Sequence, residues 1–332
     1  MGVRITSIAL LVCAIGGCAT GPTGPIPRSY NVVWTTQGAD PRDSMPLGGG
    51  AIGLNVWTAE GEIFFEIGSP DAIDENGALL KLGRIRLKLT PNPLAEGGWF
   101  RQEFDPVASC VRIQGRNRSG SANVLLWVEV HRPVVHVQID AARAVTVEAA
   151  FETWRHITRP IDWRNWKRHG TLDQAQRPGK FFIYPDTVVH KPGGVLWYHR
   201  NQTDKDVRSA LITQQDMTKY ERVIPNPTKN LTFGGFLTGT NLVATDTELT
   251  LESEQIVDCK RWKLRSQTPA RQHHVIAALR VAQDATVNQW RSIVSELAAQ
   301  ALVDPHTPRQ KTLAWWKAFW DRFGIPIRPR HA

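Results

Sequence analysis

Hydrophobic and polar positions alternate in short runs from residue 30 to about residue 284, and Gly, Pro, Asn and Asp separate the runs. A period of two is typical of β-strands with one buried face, and no long helical period interrupts this region. Residues 52–57 and 63–67 flank Ala59-Glu60-Gly61 and predict a hairpin. More than ten such runs in succession predict an all-β fold, a large antiparallel two-sheet β-sandwich of the supersandwich type.

The strand over residues 84–89 shows the alternation most clearly. Arg84, Arg86 and Lys88 share one face, and the opposite face is aliphatic. The basic face is expected to be the wet side of the strand, with an anionic glycan as the alternative contact. Further strands are predicted at residues 99–104, 109–114, 123–131, 134–140, 145–154, 195–201, 209–214, 231–237, 247–252 and 274–281.

The period changes to that of a helix after Asp284. Apolar residues from Val287 to Leu302 recur at helical spacing and predict a helix that ends near Asp304-Pro305. A second helix is predicted to start with Thr307 as its N-cap, in a capping box with Gln310. Its apolar stripe is expected to fold back on the sandwich, although a missing module is an alternative partner. The stripe consists of Leu313, Trp316, Trp320 and Phe323.

Composition supports a folded chain, with 332 residues of which 42% are hydrophobic and 21% charged. The net charge of +9 makes the protein basic. No Lys/Arg-rich run is interleaved with aromatic residues, so nucleic acid is not expected as a partner, and an acidic polysaccharide or an anionic membrane fits the charge better. Thirteen Trp against four Tyr indicates either stacking on sugars or a Trp-rich core.

The first 29 residues are read as a leader and a tether. Residues 1–17 predict a signal peptide, and Ile15-Gly16-Gly17-Cys18 resembles the lipobox of bacterial lipoproteins, which makes Cys18 the expected lipidation site. An ordinary secretory signal is the alternative. Residues 18–29 are rich in Gly, Pro and Thr and predict a tether. The protein is therefore expected in the bacterial cell envelope, anchored through its N-terminal lipid, on the periplasmic face of the outer membrane.

Two cysteines remain in the folded part, Cys110 and Cys259. An oxidising compartment would permit a disulfide, but two buried, apolar thiols are an equally good interpretation. Neither cysteine has metal-ligand spacing, and no metal or cofactor is predicted.

The chain contains no nucleophile elbow, P-loop or HExxH motif, so no catalytic residue is predicted. Gly48-Gly49-Gly50 precedes a strand and indicates a sharp turn or a close backbone approach to a ligand. Asp71, Asp74 and Glu75 form an acidic cluster that suits sugar hydroxyls, a hard cation or a solvated turn.

Aromatic and basic residues cluster in two further segments. Trp197, His199 and Asn201 share one face of a predicted strand, where His199 is either a ligand contact or a hydrogen-bonded structural residue. The Trp/Arg-rich stretch over residues 154–168 suits either glycan stacking or core packing.

Several segments together carry a family resemblance. WTTQGADPRDSMPLGGGAIGLNVW is similar to the opening of the N-terminal β-sandwich domains of (α/α)6-barrel glycoside hydrolases, notably the α-L-fucosidase-like family 95. The chain is nearer still to a bacterial relative, domain of unknown function 5703. The other matching segments are IGSPDAIDENGALLKLGRIRLKLTPNP, FETWR, VLWYHRN, TFGGFLTG and WWKAFWDRFGI.

The resemblance implies a role in carbohydrate processing. The chain is expected to consist of a sandwich over residues 30–284, a linker-like helical pair over 285–325 and a tail over 326–332. In such hydrolases the catalytic carboxylates lie in the helical barrel that follows, so none is carried over, and a separately encoded barrel is a possible partner. The alternatives are a stand-alone glycan-binding lipoprotein and a truncated remnant.

The loops that would shape a sugar pocket can be carried over residue by residue. Gly49 departs from the pattern, because the fucosidase-like relatives tend to have Asn there. The expected carbohydrate-binding residues are Asp43, Met45, Pro46, Gly48, Gly50, Asp71, Asp74 and Asn76, together with Trp197 and His199.

Overall fold

The computed structural model describes residues 30–161, 181–202, 207–252 and 257–322. The predicted signal peptide, Cys18 and the tether lie outside the described residues. So do most of the Trp/Arg-rich stretch, Phe323 and the tail.

Fifteen described strands form one antiparallel hydrogen-bonded network that divides into two layers. The first layer, sheet I, has the order β1-β6-β7-β8-β9-β17-β14-β13-β12. Its strands are β1 (Val32–Trp34), β6 (Trp99–Asp105), β7 (Cys110–Asn117), β8 (Gly120–Val128), β9 (Val134–Thr153), β12 (Thr187–Lys191), β13 (Gly194–Arg200), β14 (Thr232–Gly239) and β17 (Ala270–Ala282).

The second layer, sheet II, has the order β2-β3-β4-β5-β9-β16-β15. Its other strands are β2 (Met45–Gly49), β3 (Ile52–Ala59), β4 (Glu62–Ile73), β5 (Leu79–Thr90), β15 (Leu242–Glu252) and β16 (Val257–Ser266). A separate two-stranded ribbon pairs β10 (Arg159–Pro160) with β11 (Phe182–Ile183).

Strand β9 belongs to both sheets. Its first half pairs with β8 and β17, and its second half pairs with β5 and β16. The predicted strands over 134–140 and 145–154 are therefore one strand, and the register shift that joins its halves lies at residues 141–144. This bulge lets a single chain cross between the layers.

The core lies between the inner faces of the two sheets. Val56, Phe65 and Ile85 of sheet II share one buried cluster with Val124 and Val137 of sheet I. This packing confirms the predicted two-sheet β-sandwich. The predicted hairpin is confirmed by β3 and β4.

Helix α2 (Val287–Val303) covers part of the outer face of sheet I. The Thr286 hydroxyl accepts the N–H of Gln289 at 3.1 Å and caps the helix. Its buried residues, which include Trp290 and Val294, pack on Ile276 and other sheet I side chains.

Helix α3 (His306–Arg322) folds back on the sandwich. The Trp320 indole donates to the Pro106 carbonyl at 3.0 Å, and the Arg309 guanidinium lies 5.2 Å from the Trp127 ring. Only Thr312 is fully buried, however, so the aromatic stripe is packed less deeply than α2.

Two predictions need correction. Residues 209–214 belong to helix α1 (Arg208–Gln214), because no neighbouring strand pairs with this segment and its N–H groups bond within the turn. Helix α3 is capped not by Thr307 but by Asp304, whose carboxylate accepts the N–H groups of His306 and Thr307 at 2.9 and 3.1 Å. Of the two interpretations of Cys110 and Cys259, the buried thiols fit the structure, because within the described residues no disulfide joins them and they lie buried on β7 and β16.

Candidate functional site

Three glycines lie side by side across neighbouring strands of sheet II. Gly48 of β2 pairs with Gly53 of β3, which pairs with Gly68 of β4. Side chains in register point to the same face of a sheet, so three missing side chains leave a channel floored by backbone. We call this channel the glycine trough.

The trough is open at its centre. A Cβ atom added at Gly53 would have no neighbour within 4 Å, and one at Gly68 would meet only the Gly53 carbonyl oxygen at 3.8 Å. Side chains could therefore be accommodated there, and tight packing does not explain why the floor is bare.

Helix α3 forms the facing wall of the trough. Trp316, Phe319 and Trp320 are half-buried and line a groove of about 620 Å³ with the glycines, while Pro46 and Phe104 lie at its sides. The Trp316 and Trp320 rings are 6.3 Å apart and tilted by only 28°. The result is a groove with indole rings on one side and bare backbone on the other.

Few polar side chains reach the groove. Asn55 and Lys81 lie along it, and the Ser109 hydroxyl donates to the Gly48 carbonyl at 3.1 Å. Lys81 also pairs with Glu66 at 3.2 Å. The described lining contains no carboxylate, so it has hydrogen-bonding groups but no acid–base pair.

The rest of the triple glycine has a structural role. A Cβ atom on Gly49 would lie 2.8 Å from the Val128 carbonyl oxygen, and Gly50 turns the hairpin at a φ of +56°. Both alternatives raised from the sequence, a close approach and a sharp turn, are therefore present, although the approach is to strand β8 and not to a ligand.

The residues predicted around the trough occupy different positions. Pro46 and Gly48 line the groove, whereas Met45 points into the core. Asp43 is exposed beside the turn, where its carboxylate accepts the N–H of Ala39 at 2.8 Å. Gly50 and Asp71 are exposed and outside the groove lining.

The remaining predicted residues are Asp74, Asn76, Trp197 and His199, and they are buried. Each is no more than 2% exposed. The Asp74 carboxylate accepts the N–H groups of Asn76 and Ala78 at 2.9 and 2.7 Å, which closes a tight turn. The Trp197 indole donates to the Leu82 carbonyl at 2.8 Å and so ties sheet I to sheet II. Sugar contact by these four side chains is not supported, because they are engaged inside the protein.

His199 lies at the centre of a buried ionic group that also contains Glu75, Asp186 and Arg155. Its Nε2 is 3.2 Å from a Glu75 carboxylate oxygen, and its Nδ1 is 3.3 Å from an Asp186 oxygen. Arg155 contacts the same Asp186 carboxylate at 2.8 Å, and Thr153 donates its hydroxyl to it at 2.8 Å. We call this group the His199 cluster.

The carboxylates determine the charge of His199. Burial alone lowers its pKa, but Asp186 and Glu75 together outweigh that effect and raise the pKa to about 9. Burial raises the pKa of Asp186 in turn, and the Arg155 and His199 charges more than offset it, so that pKa is lowered. Of the two interpretations of His199, the hydrogen-bonded structural one fits this geometry.

The basic face of β5 is also satisfied internally. Arg84 contacts the fully buried Glu152 at 2.6 Å, and Arg261 of β16 contacts the other oxygen of that carboxylate at 2.5 Å. Arg86 and Lys88 both pair with Glu62. The face is therefore a cross-strand ion-pair ladder, and its Arg84 is mostly buried, whereas the sequence suggested a wet surface.

The family profile of the domain of unknown function DUF5703 matches residues 33–325. The chain belongs to this family. The match covers both sheets and both C-terminal helices, so the predicted resemblance is confirmed over nearly the whole DUF5703 chain.

Solved structures similar to the DUF5703 chain include one assigned as a kojibiose phosphorylase from the human microbiome. It is 10% identical with a TM-score of 0.38 and covers 88% of this chain and 35% of its own. Another is a bacterial glucoamylase complexed with acarbose, 8% identical with a TM-score of 0.36, covering 87% of this chain and 40% of its own. The DUF5703 chain thus spans well under half the length of either protein. None of the curated proteins matches it.

The described residues contain neither a membrane-spanning helix nor a cluster of metal-binding side chains. No described helix has the length and apolar character needed to cross a membrane. Within the same ranges, His, Cys, Asp and Glu side chains do not gather in a group of three or more that could hold a metal ion.

Sequence reasoning missed several members of the site. The trough depends on Gly53 and Gly68, which acquire meaning only when the strand register places them beside Gly48. Asp186 of the His199 cluster gave no local signal, and Arg155 was noted only as part of the Trp/Arg-rich stretch. Trp316 and Trp320 were identified, but as packing residues.

Proposed function

We propose that this DUF5703 chain is a non-catalytic, saccharide-binding domain of a carbohydrate-processing system, and that the glycine trough receives a sugar ring. The observation that carries the proposal is the in-register row of Gly48, Gly53 and Gly68 facing the half-buried rings of Trp316 and Trp320.

The chemistry of the groove suits a pyranose ring. Such a ring has flat faces of C–H groups, which stack on indoles, and a rim of hydroxyls, which need hydrogen-bond partners. Bare backbone at Gly53 and Gly68 allows the opposite face of the ring to approach closely. Asn55 and Lys81 are placed to bind hydroxyls and fix the orientation.

The groove is suited to binding and not to cleavage. Glycoside hydrolysis uses two carboxyl groups that flank the scissile bond, and the described lining has none. We therefore assign cleavage to a helical catalytic barrel, on the same or a separate polypeptide. Leu313 and Trp315 are each more than a third exposed on α3 and provide apolar surface that such a barrel would cover.

The location belongs to the same proposal. The lipobox-like segment ending in Cys18 supports a lipid anchor in the cell envelope, where a binding domain would hold glycans near the membrane.

Calorimetric titration with glucose, fucose, maltose and cellobiose tests the trough. Gly53→Val fills it without a clash, since no atom lies within 4 Å of the new Cβ. The wild type should bind at least one sugar with a Kd of about 1 mM or lower, and G53V should bind it at least about tenfold more weakly at an unchanged melting temperature.

Ala244→Val is the matched control, because Ala244 is an exposed position on β15 at the far edge of sheet II. A244V should bind like the wild type. Equal affinity in G53V and A244V, or no binding of any sugar by the wild type, would refute the assignment.

A further inference from the structure

A second concave surface lies on the outer face of sheet I. It includes Trp99 at the start of β6, whereas Phe104 near the other end of this strand belongs to the trough groove. Phe104 is five positions along the extended strand from Trp99, a distance of about 17 Å. The two surfaces are therefore distinct.

A row of polar side chains forms the floor of this surface. Gln114 of β7 pairs with Asn123 of β8, which pairs with Asp140 of β9, which pairs with Gln272 of β17. Residues in register share a face and repeat at about 4.8 Å, so the row extends about 14 Å. We call this row the polar platform.

Strand β9 bulges beside the platform. Gln272 pairs with Asp140 but Ala270 pairs with Val145, so residues 141–144 of β9 are opposite Arg271 alone. The surrounding walls enclose about 990 Å³. A bulge of this kind re-aims side chains and is frequent next to binding sites.

The walls carry an aromatic ring and uncompensated charge. Trp99 is 50% exposed, and the Arg116 guanidinium lies 5.9 Å from its ring centroid. Among the described residues, Arg116, Arg271 and Asp140 form no ion pair. The contrast with the β5 ladder is clear, because there each arginine has a carboxylate within 4 Å.

We propose that the polar platform binds an extended, uronate-bearing polysaccharide. Carboxamide and carboxylate groups repeat across the strands at about the length of one hexose unit, which suits the hydroxyls of successive sugars. Trp99 stacks on one ring of the chain. Arg116 and Arg271 bind the carboxylates, for which a guanidinium fork is the best matched side chain.

Binding at the platform does not require a sugar in the trough. A chain with net charge +9 also attracts an anionic polymer over a longer range, so the association is expected to weaken with salt.

Calorimetry with hexagalacturonate and, as a neutral polymer of equal length, cellohexaose tests the platform. The wild type should bind hexagalacturonate with a Kd of about 1 mM or lower, and Trp99→Ala and Arg116→Gln should each weaken this at least about tenfold. Cellohexaose should bind at least tenfold more weakly than hexagalacturonate. Circular dichroism should show unchanged folding, since Trp99 and Arg116 are exposed.

Tyr220→Ala is the matched control, because Tyr220 is 48% exposed and carries the Lys219 ammonium 4.9 Å from its ring centroid. Both Y220A and G53V should bind hexagalacturonate like the wild type. Wild-type affinity for hexagalacturonate in W99A and R116Q, or no binding by the wild type, would refute the platform as a site. Equal binding of both polymers would refute the anionic class.

Discussion

We predict that the His199 cluster makes the stability of the folded protein depend on pH. The pKa of His199 rises from an ordinary value of 6.5 to about 9 on folding, a difference of about 2.5 units. Each unit corresponds to 1.36 kcal/mol, so the cluster should stabilise the folded state by about 3 kcal/mol when His199 is protonated. Because the folded-state pKa is the higher one, this contribution is complete below about pH 6.5 and disappears as the pH rises through about 9.

Urea denaturation followed by Trp fluorescence at pH 6, 7.5 and 9.5 measures this effect. The free energy of unfolding of the wild type should fall by about 3 kcal/mol across the series. His199→Gln carries no charge at any of these pH values and should not show this fall, although it should be less stable at pH 6 because buried Glu75 and Asp186 lose their cation. Burial lowers the pKa of His136 and of His274, and a histidine whose folded-state pKa is lowered makes stability rise with pH, so neither can cause the fall. The same pH slope in H199Q and the wild type would refute the reasoning.

Three further predictions concern packing and anchoring. Glu152→Ala should destabilise the fold by about 3–5 kcal/mol, since it leaves the mostly buried Arg84 and Arg261 without their shared carboxylate. Glu248→Ala, at a half-exposed position, should cost under about 1 kcal/mol. Similar urea midpoints for the two variants would contradict the role given to the ion-pair ladder. Removing residues 305–332 should lower the melting temperature, because the hydrogen bond from Trp320 to the Pro106 carbonyl is lost. An unchanged melting temperature would argue against packing of α3 on the sandwich. Cys18→Ala should abolish acylation and membrane association, and an unacylated mature wild type in mass spectrometry would refute lipidation.

Local patterns predicted the fold because each strand carries its own alternation. Trp197, His199 and Asn201 face inward, while Tyr198 and Arg200 face outward toward α2, as a period of two requires. The segment over 209–214 was predicted as a strand but belongs to α1, because a run this short with a few apolar positions fits either period and the absence of a pairing strand decides the outcome.

The candidate sites depended on information that local patterns do not contain. Asp74 reads as a solvated acid in sequence, but its carboxylate is buried in a turn that it closes itself. Gly53 and Asp140 belong to the candidate sites only because the strand register places them beside Gly68 and Asn123. Register depends on how distant segments pair, and a single sequence does not specify those pairings residue by residue.

A crystal structure with a bound saccharide tests the central claim most directly. The sugar chosen is whichever of glucose, fucose, maltose and cellobiose binds with the lowest Kd. We predict its ring in the glycine trough, over Gly53 and Gly68 and against the rings of Trp316 and Trp320. An occupied crystal in which the sugar lies elsewhere and the trough holds only solvent would contradict the account.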